Sequence, residues 1–438
     1  MKVNYMAKCI GVLADDLTGS MDAGVQLHND GYTVKIAVDP SSLDVVSENT
    51  DIIIINSESR NVPKMQASSK VQYCVQKLQE MGCDLIYKKV DSTLRGNIGI
   101  ELEAVLNQLD VDCIILAPAL PFNERTTVNG IHYVGGLRLQ DTELAKDPFS
   151  PIYSSSIREI IRKQSSISSA NLTIDIIRDS VAVTAKVMEE MINSGFKVIV
   201  CDAIDNGDLT CIAKASNRLS HSIVFCGSAG LFKYLVDTGR INQPTNFPKE
   251  QIQYSNQSDS VLVLSGSPAS ISKKQILNAV NSGNRTTAIY ADLDKVKGTK
   301  AQQEQERDRI FFEVEKALKK KNHVIVEAAG KSKMNLLFST KGDFERLNRD
   351  SENIQNLLAD VAEQFINYPV KGLVLFGGDT AMSIATRTRA KGIHILSQVE
   401  PYIPMGIFIE SKTGTIPVVT KAGGFGNENT LTNILNQL

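Results

Sequence analysis

Short apolar runs rich in β-branched residues recur along the chain at 9–14, 33–38, 51–56, 85–90, 113–117 and 197–202, with polar-faced segments of helical period between them. Runs that are apolar at every position suit strands buried on both faces, and their alternation with helices predicts parallel sheets covered by helices. A further run at 222–226 leads into Gly227, Ser228, Ala229 and Gly230 and another helical stretch. Between 241 and 260 the chain turns polar and proline-containing, with neither period, which predicts a linker. A second series then follows at 261–265, 287–291, 323–328, 372–376 and 392–395, ending in a glycine-rich segment. The expected fold class is α/β, in two domains, each a mainly parallel sheet flanked by helices, with the active site in the interdomain cleft. The domains are expected at 1–240 and 261–438. No repeat of 20–50 residues and no low-complexity tract is present. The stretch 117–155, with four prolines, several glycines and many polar residues, reads as a long functional or mobile loop.

Composition narrows the class. A length of 438 residues suits two cores, and 42% hydrophobic with 22% charged residues is ordinary for a globular protein. A net charge of −2, from 47 basic and 49 acidic residues, supplies no field to hold nucleic acid or an anionic membrane. The basic run at 319–321 follows the acid-rich segment of Glu304, Glu306, Glu313 and Glu315, and reads as a helix C-terminus. Seven cysteines, an odd number without CxxC spacing, argue against zinc or a disulfide framework and for reduced thiols. There is no apolar leader with a cleavage site and no apolar stretch of the ~18 residues a membrane helix needs. A cytoplasmic protein is expected.

The candidate chemistry sits where strands end. Asp15, Asp16, Leu17, Thr18, Gly19 and Ser20 follow the first strand directly, at the edge where open α/β sheets bind ligands. The two carboxylates suit a hydroxyl proton or a metal, and Thr18 and Ser20 suit helix capping; a capped turn with two solvated acids is the plainer alternative. A second cluster, Lys88, Lys89, Val90, Asp91, Ser92, Thr93, Leu94 and Arg95, gathers cations, an acid and hydroxyls into one turn. Arg95 offers a fork for a carboxylate, with an internal pair to Asp91 as the competing reading. Asn123, Arg125 and Thr126 add donors near Gly130 and His132, and His132, lacking a recognisable partner, reads as structural or substrate-contacting rather than as a base.

The second half has a different vocabulary. Ser265, Gly266 and Ser267 follow one strand; Gly377, Gly378, Asp379 and Thr380 follow another; Gly423 and Gly424 lie in a third turn. Backbone amides in such turns suit phosphate, and three of them together point to a nucleotide. Neither a P-loop nor a dinucleotide fingerprint is present.

Taken together these residues resemble the four-carbon acid sugar kinase family, which includes D-threonate, D-erythronate and 3-oxo-tetronate kinases. The resemblance spans nearly the whole chain and is carried by ADDLTGSMDAG at 14–24, KKVDSTLRGN at 88–97, APALPFNERTTVNG at 117–130, SGSPA at 265–269, FGGDT at 376–380 and TKAGGFG at 420–426. It implies a sugar-acid-binding domain at 1–240, an ATP-binding domain at 261–438, and transfer of the γ-phosphoryl group to the terminal (C4) hydroxyl of a tetronate. Carried over by motif, the acid would meet Asp15, Asp16, Asp91 and Arg95; the phosphates would meet Ser265 or Ser267, Gly377 to Thr380, and Gly423.

Phosphoryl transfer needs positioning and charge neutralisation. Arg95 with Lys89 is expected to clamp the substrate carboxylate, with Ser92, Asn123 and Arg125 as further contacts, while Asp16 or Asp91 takes the hydroxyl proton. Mg2+ is expected with ATP, and Asp379 is its candidate ligand. Domain closure about the 241–260 linker and a homodimer complete the expectations, with no nucleic-acid or membrane partner. The alternatives are an ATP-independent aldolase or dehydratase acting through Lys88 or Lys89, and a non-catalytic sugar-acid binding protein.

Overall fold

The computed structural model describes residues 9–147, 149–236, 243–245, 247, 259–283, 285–329 and 341–438. The chain divides into two compact units, Met1–Phe247 and Pro248–Leu438. Most of the expected linker at 241–260 lies outside the described residues.

The first unit carries β1 (Ile10–Ala14), β2 (Val34–Ala37), β3 (Ile52–Asn56), β4 (Leu85–Lys89), β5 (Cys113–Ala117), β6 (Arg125–Val128), β7 (Ile131–Val134), β8 (Leu137–Arg138), β9 (Ser169–Leu172), β10 (Val198–Cys201) and β11 (Ile223–Gly227). Eight of them form one sheet in the order β2-β3-β1-β4-β11-β5-β10-β9, and every pairing within it is parallel. The strands are almost wholly buried, as runs apolar at every position require. The chain leaves β1 to build β2 and β3 on one side and returns to β4 on the other, so the carboxyl ends of β1 and β4 border a topological switch point.

The stretch expected as an irregular loop is partly ordered, since β6, β7 and β8 form an antiparallel sheet of their own. The turn between β6 and β7 is Asn129-Gly130 with φ of 51° and 70°, a two-residue turn whose twist matches its flanking strands. The sequence signal was VNGI, hidden among prolines.

The second unit carries β12 (Val261–Ser265), β13 (Thr286–Tyr290), β14 (His323–Glu327), β15 (Gly372–Phe376), β16 (Gly392–Glu400), β17 (Ile403–Ile409) and β18 (Pro417–Lys421), in the order β13-β14-β12-β15-β18-β17-β16. The pairings through β18 are parallel, and β17 and β16 run antiparallel. Here β12 has β14 on one side and β15 on the other, a second switch point.

One expectation about the thiols is corrected. The sulfurs of Cys9 and Cys83 are paired, with Cα atoms 4.4 Å apart, because β1 and β4 are neighbours that start side by side. Cys74, Cys113, Cys201, Cys211 and Cys226 are free.

Candidate active site

At the first switch point, β1 hands Asp15 and Asp16 to the helix Leu17–Asn29, which Asp16 caps by accepting from the Gly19 N–H at 2.8 Å. The loop after the neighbouring β3 folds onto this turn, with Ser59 and Arg60 N–H groups donating to the Asp15 carbonyl. Asn97 holds that loop from the other side by donating to the Ser59 and Val62 carbonyls. The Arg60 guanidinium is thereby placed between the two acids, donating to Asp15 from Nε at 2.7 Å and Nη2 at 3.0 Å and to Asp16 from Nη1 and Nη2 at 2.7 Å each. Arg60 is the central cation of the cluster, and the sequence reading passed over it.

The β4 end supplies the rest. Lys88 is fully buried and paired with Glu101 at 2.7 Å; Lys89 is paired with Asp22 at 3.2 Å. The following turn has Leu94 at φ 56°, and the Leu94 N–H donates to the Asp91 carbonyl. Asp91 accepts from Thr93 Oγ1 at 2.5 Å and Arg95 Nε at 2.6 Å, and Arg95 Nη1 reaches Asp147 at 3.1 Å. Arg125, from β6, donates to the Ser92 hydroxyl. Buried His132 lies 2.8 Å from the Ser92 carbonyl through Nε2 and 3.0 Å from Thr127 Oγ1 through Nδ1. Asp15 and Asp16 share Arg60, Lys89 pairs with Asp22, Asp91 with Arg95, and Ser92 with Arg125, as separate pairs close enough for Lys89 to act on Asp15 and Asp16 and for Arg60 and Arg125 to act on Asp91. Asn123 lies in the turn before β6, and no hydrogen bond joins its side chain to these groups among the described residues.

The electrostatics sort these groups. Burial pushes the Asp15 carboxyl up, but Arg60, Lys88 and Lys89 outweigh it and hold it below the usual range. Asp16 ends on the other side: burial, with the neighbouring Asp15 and Asp91 charges, raises it despite Arg60. Asp22 is raised by burial to about 6, and Asp91, in spite of burial, is held well below the ordinary value by Arg95 and Arg60. Burial lowers Arg125 to about 10 and His132 to about 4, which keeps the imidazole neutral. Burial opposes the Lys88 charge, yet Glu101 and Asp15 raise it and keep it an ammonium, unsuited to attack a carbonyl.

At the second switch point, three turns converge. A Cβ on Gly423 would stand 2.5 Å from Ser267 Oγ, and one on Gly377 would lie 3.5 Å from Thr380 Oγ1 and 3.9 Å from the Ser267 amide. A Cβ on Gly266 would meet Thr380 Oγ1 at 2.6 Å and Gln355 Nε2 at 3.1 Å. The Gly377 turn has φ 108° and opens the helix Gly378–Arg387, with Asp379 exposed in its first turn. The hydroxyls of Ser265 and Thr380 and the Gln355 carbonyl oxygen are buried without a hydrogen-bond partner among the described residues. Gln355, on the long helix Lys341–Phe365, was not among the sequence candidates. Ser267, Gly377, Thr380 and Gly423 are brought together; Gly378 and Gly424 extend the same turns.

A family model for a sugar-binding N-terminal domain matches residues 10–235, and one for a nucleotide-binding C-terminal domain matches residues 262–431. A D-threonate kinase of Salmonella typhimurium is 34% identical over 431 residues, covering 97% of each chain. The chain belongs to the four-carbon acid sugar kinase family. A D-threonate kinase of Bordetella bronchiseptica is 28% identical, covering 96% of this chain and 95% of its own, and a D-erythronate kinase of Heliobacterium modesticaldum is 26% identical, covering 95% and 94%. Among solved structures, a Salmonella typhimurium LT2 protein matches with TM-score 0.77 at 20% identity, covering 98% of this chain and 99% of its own. A Haemophilus influenzae protein matches with TM-score 0.67 at 23% identity, with the same coverage. These two show the fold. As a four-carbon acid sugar kinase the protein is a phosphotransferase with a hydroxyl acceptor, and no helix among its described residues is long and apolar enough to cross a membrane.

Proposed function

We propose that this chain transfers the γ-phosphoryl group of ATP to the C4 hydroxyl of a four-carbon sugar acid, with D-threonate the foremost acceptor. The observation that carries the reading is the Asp15–Arg60–Asp16 clamp beside the Asp91–Arg95 pair, charged groups held ready at a switch point for a small hydroxylated anion. The 34% identity to a D-threonate kinase favours that acid among the tetronates.

In this reading Arg95 and Arg125 hold the substrate carboxylate, and Lys89, Asp15, Asp91 and Ser92 position the hydroxyls. Arg95 keeps 28% of its side chain exposed, the most open of the paired cations in the cluster. Asp16 serves as base: its pKa is raised and 18% of its side chain is exposed, whereas Asp91 is held too acidic for the task. The substrate oxygen forms its bond to phosphorus as the bond to the β-phosphate oxygen breaks, and the hydroxyl proton passes to Asp16. On the second unit, Ser267 and the Gly377–Thr380 and Gly423–Gly424 turns receive the phosphates, and the unpartnered Thr380 hydroxyl supports that assignment.

Among the described residues no group of three or more His, Cys, Asp or Glu side chains is placed to hold a metal ion. Mg2+ commonly binds through substrate phosphates and one or two carboxylates rather than in a protein cage. Asp379, exposed in the turn after β15, would contribute the carboxylate, and the ion would neutralise phosphate charge. We place the enzyme in the cytoplasm, the compartment that supplies ATP.

The test is ADP release with ATP and Mg2+ against the D- and L-forms of threonate and erythronate and their 3-oxo forms. Preferred turnover of D-threonate supports the reading, turnover of another tetronate moves the acceptor, and none with any acid refutes it.

A further inference from the structure

Lys421 closes β18 and is 1% exposed, yet no carboxylate among the described residues pairs with it. Its Nζ donates to the carbonyls of Ala422 at 2.9 Å, Gly423 at 3.2 Å and Phe425 at 3.2 Å, lies 3.4 Å from Ser272 Oγ, and stands 4.4 Å above the Phe376 ring. A buried ammonium held only by neutral groups is costly, so such cations are normally paired. The same residue ties together the turns described above. Its carbonyl accepts from the Gly377 amide at 3.0 Å, and Ser272 Oγ lies 3.0 Å from both the Gly423 carbonyl and Ser267 Oγ.

We propose that Lys421 is a positioning residue for the nucleotide, its ammonium gathering the carbonyls of the 422–425 loop, as the Phe425 amide closes it onto Ala422, so that the Gly423 and Gly424 amides face the phosphates, whose negative charge is the missing counter-charge. This rests on the reading of the second unit as the ATP site. A loop with its carbonyls drawn to one side forms an anion-binding concavity on the other, and a buried cation behind it strengthens the hold.

A consequence is a coupling between nucleotide and proton. Burial alone lowers Lys421 to about 7 in the free chain. The charged groups on the surrounding elements are Lys273 and Lys274 of the helix Ser270–Asn281, Glu428 beyond the loop, Glu327 ending β14, and Asp379 and Arg387 of the helix Gly378–Arg387; β17 and the helix Thr430–Gln437 carry none. Lys274 and Glu428 pair with each other at the surface. A bound phosphate favours the charged lysine, so binding at pH 8 and above draws in a proton, and affinity falls toward high pH by up to about tenfold per unit.

The test is calorimetric titration with Mg·ADP at about pH 8.5, well above the phosphate's own ionisation near 6, in two buffers of different ionisation enthalpy. The wild-type protein is expected to take up close to one proton per nucleotide. Lys421→Met should take up none and bind at least tenfold more weakly, and Lys421→Arg should recover affinity without uptake. Nucleotide binding by the wild type without proton uptake overturns the proposal whether or not the variants fold, as does unchanged affinity in Lys421→Met. Absence of binding by the wild type instead refutes the nucleotide reading beneath it.

Discussion

At the residue scale, position at a strand end was legible, and among the pairings only that of Arg95 with Asp91 was. Asp15, Asp16, Asp91 and Arg95 stand out in the sequence because no structural turn requires so many polar types at once. Arg60 does not, since it sits four residues beyond the end of β3 in a run of small polar residues, and only the adjacency of β3 and β1 turns it toward Asp15 and Asp16. The proposed base assignment rests on the opposite shifts of Asp16 and Asp91. Asp16→Asn is expected to lower kcat by roughly a hundredfold to ten-thousandfold with little change in KM for the acid, whereas Asp91→Asn should chiefly raise that KM, through the loss of the charge that pairs with Arg95. Steady-state kinetics on both variants decide between them. His132 acts on stability rather than chemistry. Burial holds it near 4 against a usual 6.5, so the unfolded chain binds its proton first on acidification. Its stabilising contribution is complete above about 6.5 and lost as pH falls toward 4, at most on the order of 3 kcal/mol. Denaturant unfolding between pH 4 and 7 should show this slope in the wild type and a weaker one in His132→Gln.

At the element scale, the buried parallel strands were the easiest to read, because a strand covered on both faces is apolar at most positions, the lysines of β2, β4 and β18 excepted. The shorter and more exposed strands were hidden. β6 to β8 alternate weakly and lie among prolines, and the antiparallel pair β16 and β17 carries glycine, proline and polar residues that blur the pattern. The glycine turns of the second unit were visible as motifs, but their convergence on Ser267 was not, since it depends on β12, β15 and β18 lying side by side. Gly423→Ala tests that convergence. The added methyl would stand 2.5 Å from Ser267 Oγ, at the surface proposed for the phosphates. The KM for ATP should rise at least tenfold while kcat at saturating ATP and the KM for the sugar acid change little. An unchanged ATP KM would remove Gly423 from the phosphate site.

At the scale of the whole molecule, the two units use one device. In each, a first strand is flanked by strands built in opposite directions, and the polar turns lie at the carboxyl ends where the order reverses. The first switch point gathers acids and guanidinium groups; the second gathers glycines and hydroxyls around a buried lysine. That division of chemistry matches the proposed roles, an acceptor held by charge on one unit and a nucleotide held largely by backbone and hydroxyl groups on the other. The family match extends over both units, as a sugar-binding domain in the first and a nucleotide-binding domain in the second. The most direct test is proton-coupled 31P NMR of the product formed from ATP, Mg2+ and D-threonate. The account predicts a phosphomonoester signal split by the two C4 methylene protons, placing the phosphate on C4. A signal split by a single proton, or no new phosphomonoester, would contradict it.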